Sequence, residues 1–191
     1  MSVARLRDAA RGFTELADRH PGEREFLEQG KQILAALIAH DDWLPEQYAR
    51  PSPERYQQYL LHCDPLERFS IVSFVWGPGQ STPVHDHRVW GLIGVLRGLE
   101  RSVTFTRADD GTLVAGEDRV GGPGDVSAVS PRLGDIHQVF NAHADQVTIS
   151  IHVYGGNIGR IDRATFDPES GVEARFVSRF SNDTLPNLWR D

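Results

Sequence analysis

Two histidines, His85 and His87, stand one residue apart in the stretch GPGQSTPVHDHRVWGLIGVLRG. Side chains alternate between the faces of an extended segment, so both imidazoles project to one side and supply half of a metal site. A third nitrogen has two sources downstream, His137 in SPRLGDIHQVF and His152 in TISIHVYGG. Three neutral imidazoles converging from separate strands can hold a first-row metal ion. The second of these segments carries more chemistry. Ser150, His152 and Tyr154 share one strand face, with Ile149, Ile151 and Val153 on the other. Serine, imidazole and phenol in that order form a hydrogen-bond relay in which the ring orients the phenol. Arg160 and Arg163 follow in YGGNIGRIDRATF, and the planar guanidinium fork suits a carboxylate.

These groups need a scaffold, and the chain changes character near residue 66. Before it, Leu6, Ala9, Ala10, Phe13, Leu16 and Ala17 recur at helical spacing, as do Phe26, Ile33, Leu34, Leu37 and Ile38. Two helices are expected there. SPERYQQYLLHCD is ambiguous: Ser52 and Pro53 resemble a helix start, while Tyr56, Gln58 and Leu60 would share a strand face. Beyond Leu66 come short β-rich runs punctuated by glycine and proline, among them RFSIVSFVW, WGLIGVL, RSVTFTR and QVTISIHVY. The pattern predicts an all-β jelly-roll barrel over roughly 66–180 with a helical cap over roughly 1–65, the whole of 1–191 forming one domain.

Composition narrows the function classes. A net charge of -7 provides no basic field for nucleic acid or anionic lipid. No run approaches the ~18 apolar residues of a membrane-spanning helix. The single cysteine, Cys63, can form no internal disulfide. A cytoplasmic protein with neither nucleic-acid nor membrane partners is expected.

Two motifs then carry a resemblance. GQSTPVHDHRVWGLIGVLRG, from Gly79 through His85, Asp86, His87 and Gly91 to Gly98, resembles the first cupin motif, and GDVSAVSPRLGDIHQVFN, from Gly124 through Pro131, Gly134 and His137 to Asn141, resembles the second. Gly91 stands where many cupins have a glutamate ligand. That departure, with FVWGPGQSTPVHDH, narrows the resemblance to the cysteine dioxygenase family of thiol dioxygenases, over roughly Tyr56 to Phe180. It is most similar to the bacterial branch that contains 3-mercaptopropionate dioxygenases.

The resemblance implies a cupin-type double-stranded β-helix and one Fe(II) per chain held by His85, His87 and His137. It implies that O2 and a small thiol carboxylate are the reactants, with both oxygen atoms ending on sulfur. The row Ser150, His152 and Tyr154 matches the family's outer-sphere triad, with Tyr154 nearest the substrate. Arg163 matches the branch's carboxylate-binding arginine. Gln58, in YQQYLL, replaces an arginine of mammalian-type members, and it can orient a substrate without neutralising a carboxylate. 3-Mercaptopropionate, giving 3-sulfinopropionate, is therefore the expected substrate. The alternatives are L-cysteine, giving cysteine sulfinate, and a non-catalytic metal- or small-molecule-binding cupin. No cysteine follows the histidine pair closely enough for the thioether crosslink of mammalian-type members, so Tyr154 is expected to be unmodified.

Overall fold

The computed structural model describes residues 2–189. Two helices open the chain, α1 (Ala4–Asp18) and α2 (Glu23–Ile38), and their buried faces carry the apolar residues that the spacing selected, except Ile33, which is partly buried. Gly22 caps α2, and Glu23 and Glu25 in its first turn face the positive end of the helix dipole. The helices lie against one sheet through α2, which meets β4 and β9. Closeness is a matter of sequence here: a Cβ on Gly94 would stand 2.8 Å from Ile38 Cδ1, so glycine lets strand and helix approach.

Among the described residues eleven strands follow: β1 (Gln57–Cys63), β2 (Ser70–Trp76), β3 (Val84–His85), β4 (Gly91–Arg97), β5 (Glu100–Arg107), β6 (Leu113–Gly121), β7 (Val126–Val129), β8 (His137–Asn141), β9 (Thr148–Tyr154), β10 (Arg163–Phe166) and β11 (Glu173–Phe176). One sheet has the order β1-β2-β9-β4-β7 and the other β11-β10-β3-β8-β5-β6, all neighbours antiparallel. This is the jelly-roll barrel with a helical cap that the sequence pattern predicts. The ambiguous segment after Pro53 resolves as strand β1, paired to β2, so the sheet begins at Gln57, ahead of residue 66.

Strands β2 and β9 are buried along their whole length, because each is covered on both faces. Ile71, Val75, Ile149, Ile151 and Val153 pack with the helices in the larger core. Val72, Phe74, Trp76 and Tyr154 turn inward and form a second cluster within the barrel with Val139 of β8. Each fully enclosed Leu, Ile or Phe contributes ~1.5–3 kcal/mol relative to exposure. The inward face of β9 is thereby a rigid wall, and it carries the polar row. No helix among the described residues is long and apolar enough to cross a membrane.

Candidate metal centre

His85 is the last residue of β3, and its Cα partner across the ladder is His137, the first of β8. The pairing sets the two imidazoles side by side with ring centroids 4.8 Å apart. His87 completes the group from just beyond β3, since the strand is shorter than the alternation pattern implied and Arg88, at φ 59, turns the chain away. One ring nitrogen from each of the three lies within 4.8 Å of the others, and all three residues are buried. The sequence left His137 and His152 open as the third member. The geometry selects His137.

The ring nitrogens that face away from the cluster are engaged. His85 Nδ1 donates to the Pro83 carbonyl at 3.0 Å, His87 Nδ1 to Asp135 Oδ1 at 2.8 Å, and His137 Nδ1 lies 3.3 Å from Ser102 Oγ. Such outer contacts fix tautomer and ring orientation in metal-binding histidines. Here they direct the Nε2 lone pairs of His85 and His87 inward. His87 Nε2 is buried without a hydrogen-bond partner, an arrangement that is uncommon unless a ligand completes it. Burial, more than any neighbouring charge, lowers the pKa of all three, that of His85 to about 4. The imidazoles are neutral near pH 7, as metal ligation requires. The donor set therefore fits a mononuclear metal bound by three histidines. Gly91 supplies no fourth ligand. A Cβ there would stand 3.0 Å from the Tyr154 ring, so the position admits no side chain without moving the phenol.

The row on β9 forms as its alternation implies. Ser150 Oγ lies 2.8 Å from His152 Nε2, and His152 Nδ1 lies 2.8 Å from the Tyr154 hydroxyl. Trp76 Nε1 donates to Ser150 Oγ at 3.1 Å, extending the row by one group that the sequence did not single out for it. Phe74 stacks on His152 at 4.2 Å and the Tyr154 ring stacks on His87 at 5.3 Å, so apolar packing holds both rings. Burial raises the Tyr154 pKa far above its ordinary value, keeping the phenol protonated.

Arg163 opens β10 and is 3 % exposed, an unusual depth for a guanidinium. Nη2 donates to Ser178 Oγ at 2.6 Å, the guanidinium lies over Phe176 at 4.7 Å, and Nε has no partner. Burial lowers its pKa, partly offset by Tyr154, Tyr56, Asp86 and Asp135. Its charge in turn helps to depress His85 and His87, after burial. Gln58 on β1 is also buried, and its side-chain amide donates to the same Ser178 Oγ at 3.2 Å. One serine thus joins the two residues expected to meet substrate. Asp86 points away from the histidines, accepting from the Ala164 amide at 2.7 Å and tying β10 to the histidine pair. Arg160 lies on the surface with Glu67.

Sequence reasoning missed four groups, of which Ser178, between Arg163 and Gln58, is one. Asp135 receives the His87 ring and the amides of His87 and Arg88. Its place two residues before His137 was the available signal. Ser102 touches His137 from β5 with no motif to mark it. Glu100, at the start of β5, is buried with Oε2 3.8 Å from His152 Nε2. It borders a cavity of about 240 Å³ between β4 and β7 on one side and β5 and β6 on the other, which also reaches His137 and Ser102. Of the remaining tryptophans, Trp90 packs on Phe26 of α2, Trp43 is fully buried, and Trp189 is 80 % exposed, with the Arg7 guanidinium over its ring.

An antiparallel jelly-roll barrel with three convergent histidines and, among the described residues, no carboxylate ligand defines a metal-binding cupin. The family model described as cysteine dioxygenase type I matches residues 29–166, and the chain belongs to that family. Solved structures similar to it include a protein from Thermus thermophilus, with 21% identity, 58% of this chain and 92% of the other covered, and a TM-score of 0.44. A conserved protein with a double-stranded β-helix domain from Klebsiella pneumoniae has 19% identity, 62% and 93% coverage, and a TM-score of 0.46. A cupin superfamily protein from Desulfitobacterium hafniense has 16% identity, 62% and 94% coverage, and a TM-score of 0.46.

Proposed function

We infer that the protein is an Fe(II)-dependent thiol dioxygenase acting on a small mercapto-carboxylate, with 3-mercaptopropionate converted to 3-sulfinopropionate. The observation that carries this reading is a pair of buried, unpartnered donor and acceptor atoms in one barrel, His87 Nε2 and Arg163 Nε. Buried polar atoms are almost always satisfied. A lone-pair nitrogen suits a metal ion and a guanidinium N–H suits a carboxylate. Fe(II) bound by His85, His87 and His137 would supply a centre of undiminished positive charge for a thiolate and redox chemistry for O2. Arg163 and Gln58 bind and orient the carboxylate, Ser178 holds both, and Phe74, Trp76 and Val72 keep the face dry. Ser150 and His152 hold the Tyr154 hydroxyl against the histidine cluster.

The choice of thiol turns on the α-ammonium of L-cysteine. Gln58 offers it an amide oxygen and no charge, and an unpaired buried ammonium is costly. A residual penalty of about 1.4 kcal/mol gives a tenfold preference for 3-mercaptopropionate. L-Cysteine is the second reading. It is favoured by the family description, cysteine dioxygenase type I, and by Glu100, a buried carboxylate within the barrel.

Steady-state kinetics of iron-loaded protein on both thiols, with sulfinate quantified, decide between them. A kcat/KM for L-cysteine equal to or above that for 3-mercaptopropionate overturns the first reading. Arg163→Met should lower kcat/KM by ~30-fold or more, since one half of a buried charge pair is worth ~2–5 kcal/mol. An unchanged value removes Arg163 from substrate binding.

A further inference from the structure

Ser178 lies just beyond β11, partly buried, and touches both Arg163 and Gln58. We propose that Ser178 is a third carboxylate-binding group, which donates its hydroxyl proton to the acid of the substrate, so that the C-terminal segment carrying it helps to set the preference for acidic thiols. The substrate in this statement rests on the thiol oxidation inferred above.

The free proton follows from counting. A serine oxygen has two lone pairs and one proton. Arg163 Nη2 fills one lone pair at 2.6 Å, and the Gln58 amide nitrogen fills the other at 3.2 Å. Both neighbours are donors, so the serine O–H points away from them and is left to give to an incoming acceptor. Its direction is set by the guanidinium. Nη2 and the Nε–H lie on the same edge of the arginine plane, and Nε is buried without a hydrogen-bond partner among the described residues. A carboxylate that takes the Nε–H along that edge therefore brings its second oxygen beside Ser178, where it meets the serine O–H and the remaining Nη2 hydrogen. Hydrogen bonds to an ionised acceptor are the strong kind, and a neutral group could not draw the same benefit from this arrangement.

The segment is built to hold the serine there. Phe176, on its near side, lies under the Arg163 guanidinium at 4.7 Å. On the far side the Arg179 amide donates to the Gly159 carbonyl at 3.1 Å, and Phe180 lies so close over Gly159 that no Cβ would fit there. Ser181 then exchanges two hydrogen bonds with the backbone of Gln58, its amide donating to the carbonyl at 2.8 Å and its hydroxyl accepting from the amide at 3.0 Å. The Asn182 side chain does the same with Leu60, at 2.8 and 2.9 Å. β1 is the end strand of its sheet, and these contacts use its otherwise open edge. Ser178 is thus fixed at both ends, and a donor held in place before the ligand arrives costs little ordering on binding.

Two measurements test this. Propionate, a carboxylate with no thiol, titrated into metal-free protein should shift the Arg163 Nε–H resonance. Ser178→Ala should weaken propionate about tenfold, and Ser178→Thr, which keeps a hydroxyl, should recover most of the loss. A wild type that binds no propionate overturns the proposal, as does equal affinity in Ser178→Ala. Second, in iron-loaded protein Ser178→Ala should lower kcat/KM for 3-mercaptopropionate, chiefly through KM, at least fivefold more than for ethanethiol, which has no carboxylate. An equal loss on the two thiols makes the serine a structural prop and overturns the proposal. A wild type that oxidises neither thiol while its propionate affinity depends on Ser178 defeats the proposed function and supports the carboxylate site.

Discussion

Acid should unfold the metal-free protein unusually early. His85, His87 and His137 are enclosed, and burial lowers all three from the ordinary value of 6.5, His85 to about 4. A histidine whose pKa is lowered in the native state takes up its proton first in the unfolded chain. Its stabilising effect is therefore intact above the unfolded value and drains away as the pH falls from there toward the native value. Each group withdraws up to ~1.4 kcal/mol per pH unit across that window. Three groups together remove about 4 kcal/mol between pH ~7.5 and ~5.5, a large share of the ~5–15 kcal/mol typical of a domain. Asp135 has the opposite sign, since burial raises its pKa and protonation of the native state comes early; its effect lies closer to the carboxylate range. Urea unfolding followed by tryptophan fluorescence measures the difference. With a slope of ~2 kcal/mol/M the midpoint should fall by about 2 M, and His85→Gln should remove about a third of that pH dependence. A midpoint that stays put between the two pH values would refute the picture of three enclosed neutral imidazoles.

Tyr154→Phe should keep the metal and slow sulfur oxidation by ~10- to 1000-fold; turnover equal to wild type at saturating thiol rules out a role for the hydroxyl. Gly91→Ala places a methyl 3.0 Å from the Tyr154 ring and 3.1 Å from Val129, so turnover should fall with metal content unchanged, and equal turnover means that the phenol position is unimportant. Burial pushes the Cys63 thiol up to about 11, far from any thiolate role near pH 7. Cys63→Ser should leave iron and turnover unchanged, and the wild-type intact mass should lack the two-hydrogen loss of a thioether; that loss would show a crosslink.

The legible part of the site is the part that follows strand periodicity or a motif's spacing. Ser150, His152 and Tyr154 form a row because β9 is one continuous strand, so its alternation survives folding. His85 and His137 meet because the ladder pairs them. His87 reaches the same place by a different route, a turn at Arg88 and not a continued strand. Gln58 was ambiguous because its neighbours satisfy a helix start and a strand face alike, and pairing to β2 decides it. Glu100, Ser102 and Ser178 were illegible. Each approaches the site from a distant segment, and Glu100 in RGLERSV reads like an exposed charge. A contact made only by sheet-on-sheet closure leaves no local period in the chain.

A dioxygenase that acts on a thiol puts both atoms of O2 on its sulfur. Iron-loaded protein incubated with 3-mercaptopropionate under ¹⁸O2 should consume one O2 per sulfinate formed, and the sulfinate should carry both labelled atoms. His137→Ala, which removes one of the three imidazoles, should lose most of its iron and this activity with it. Disulfide in place of sulfinate, or a sulfinate with label at only one oxygen, would contradict the account.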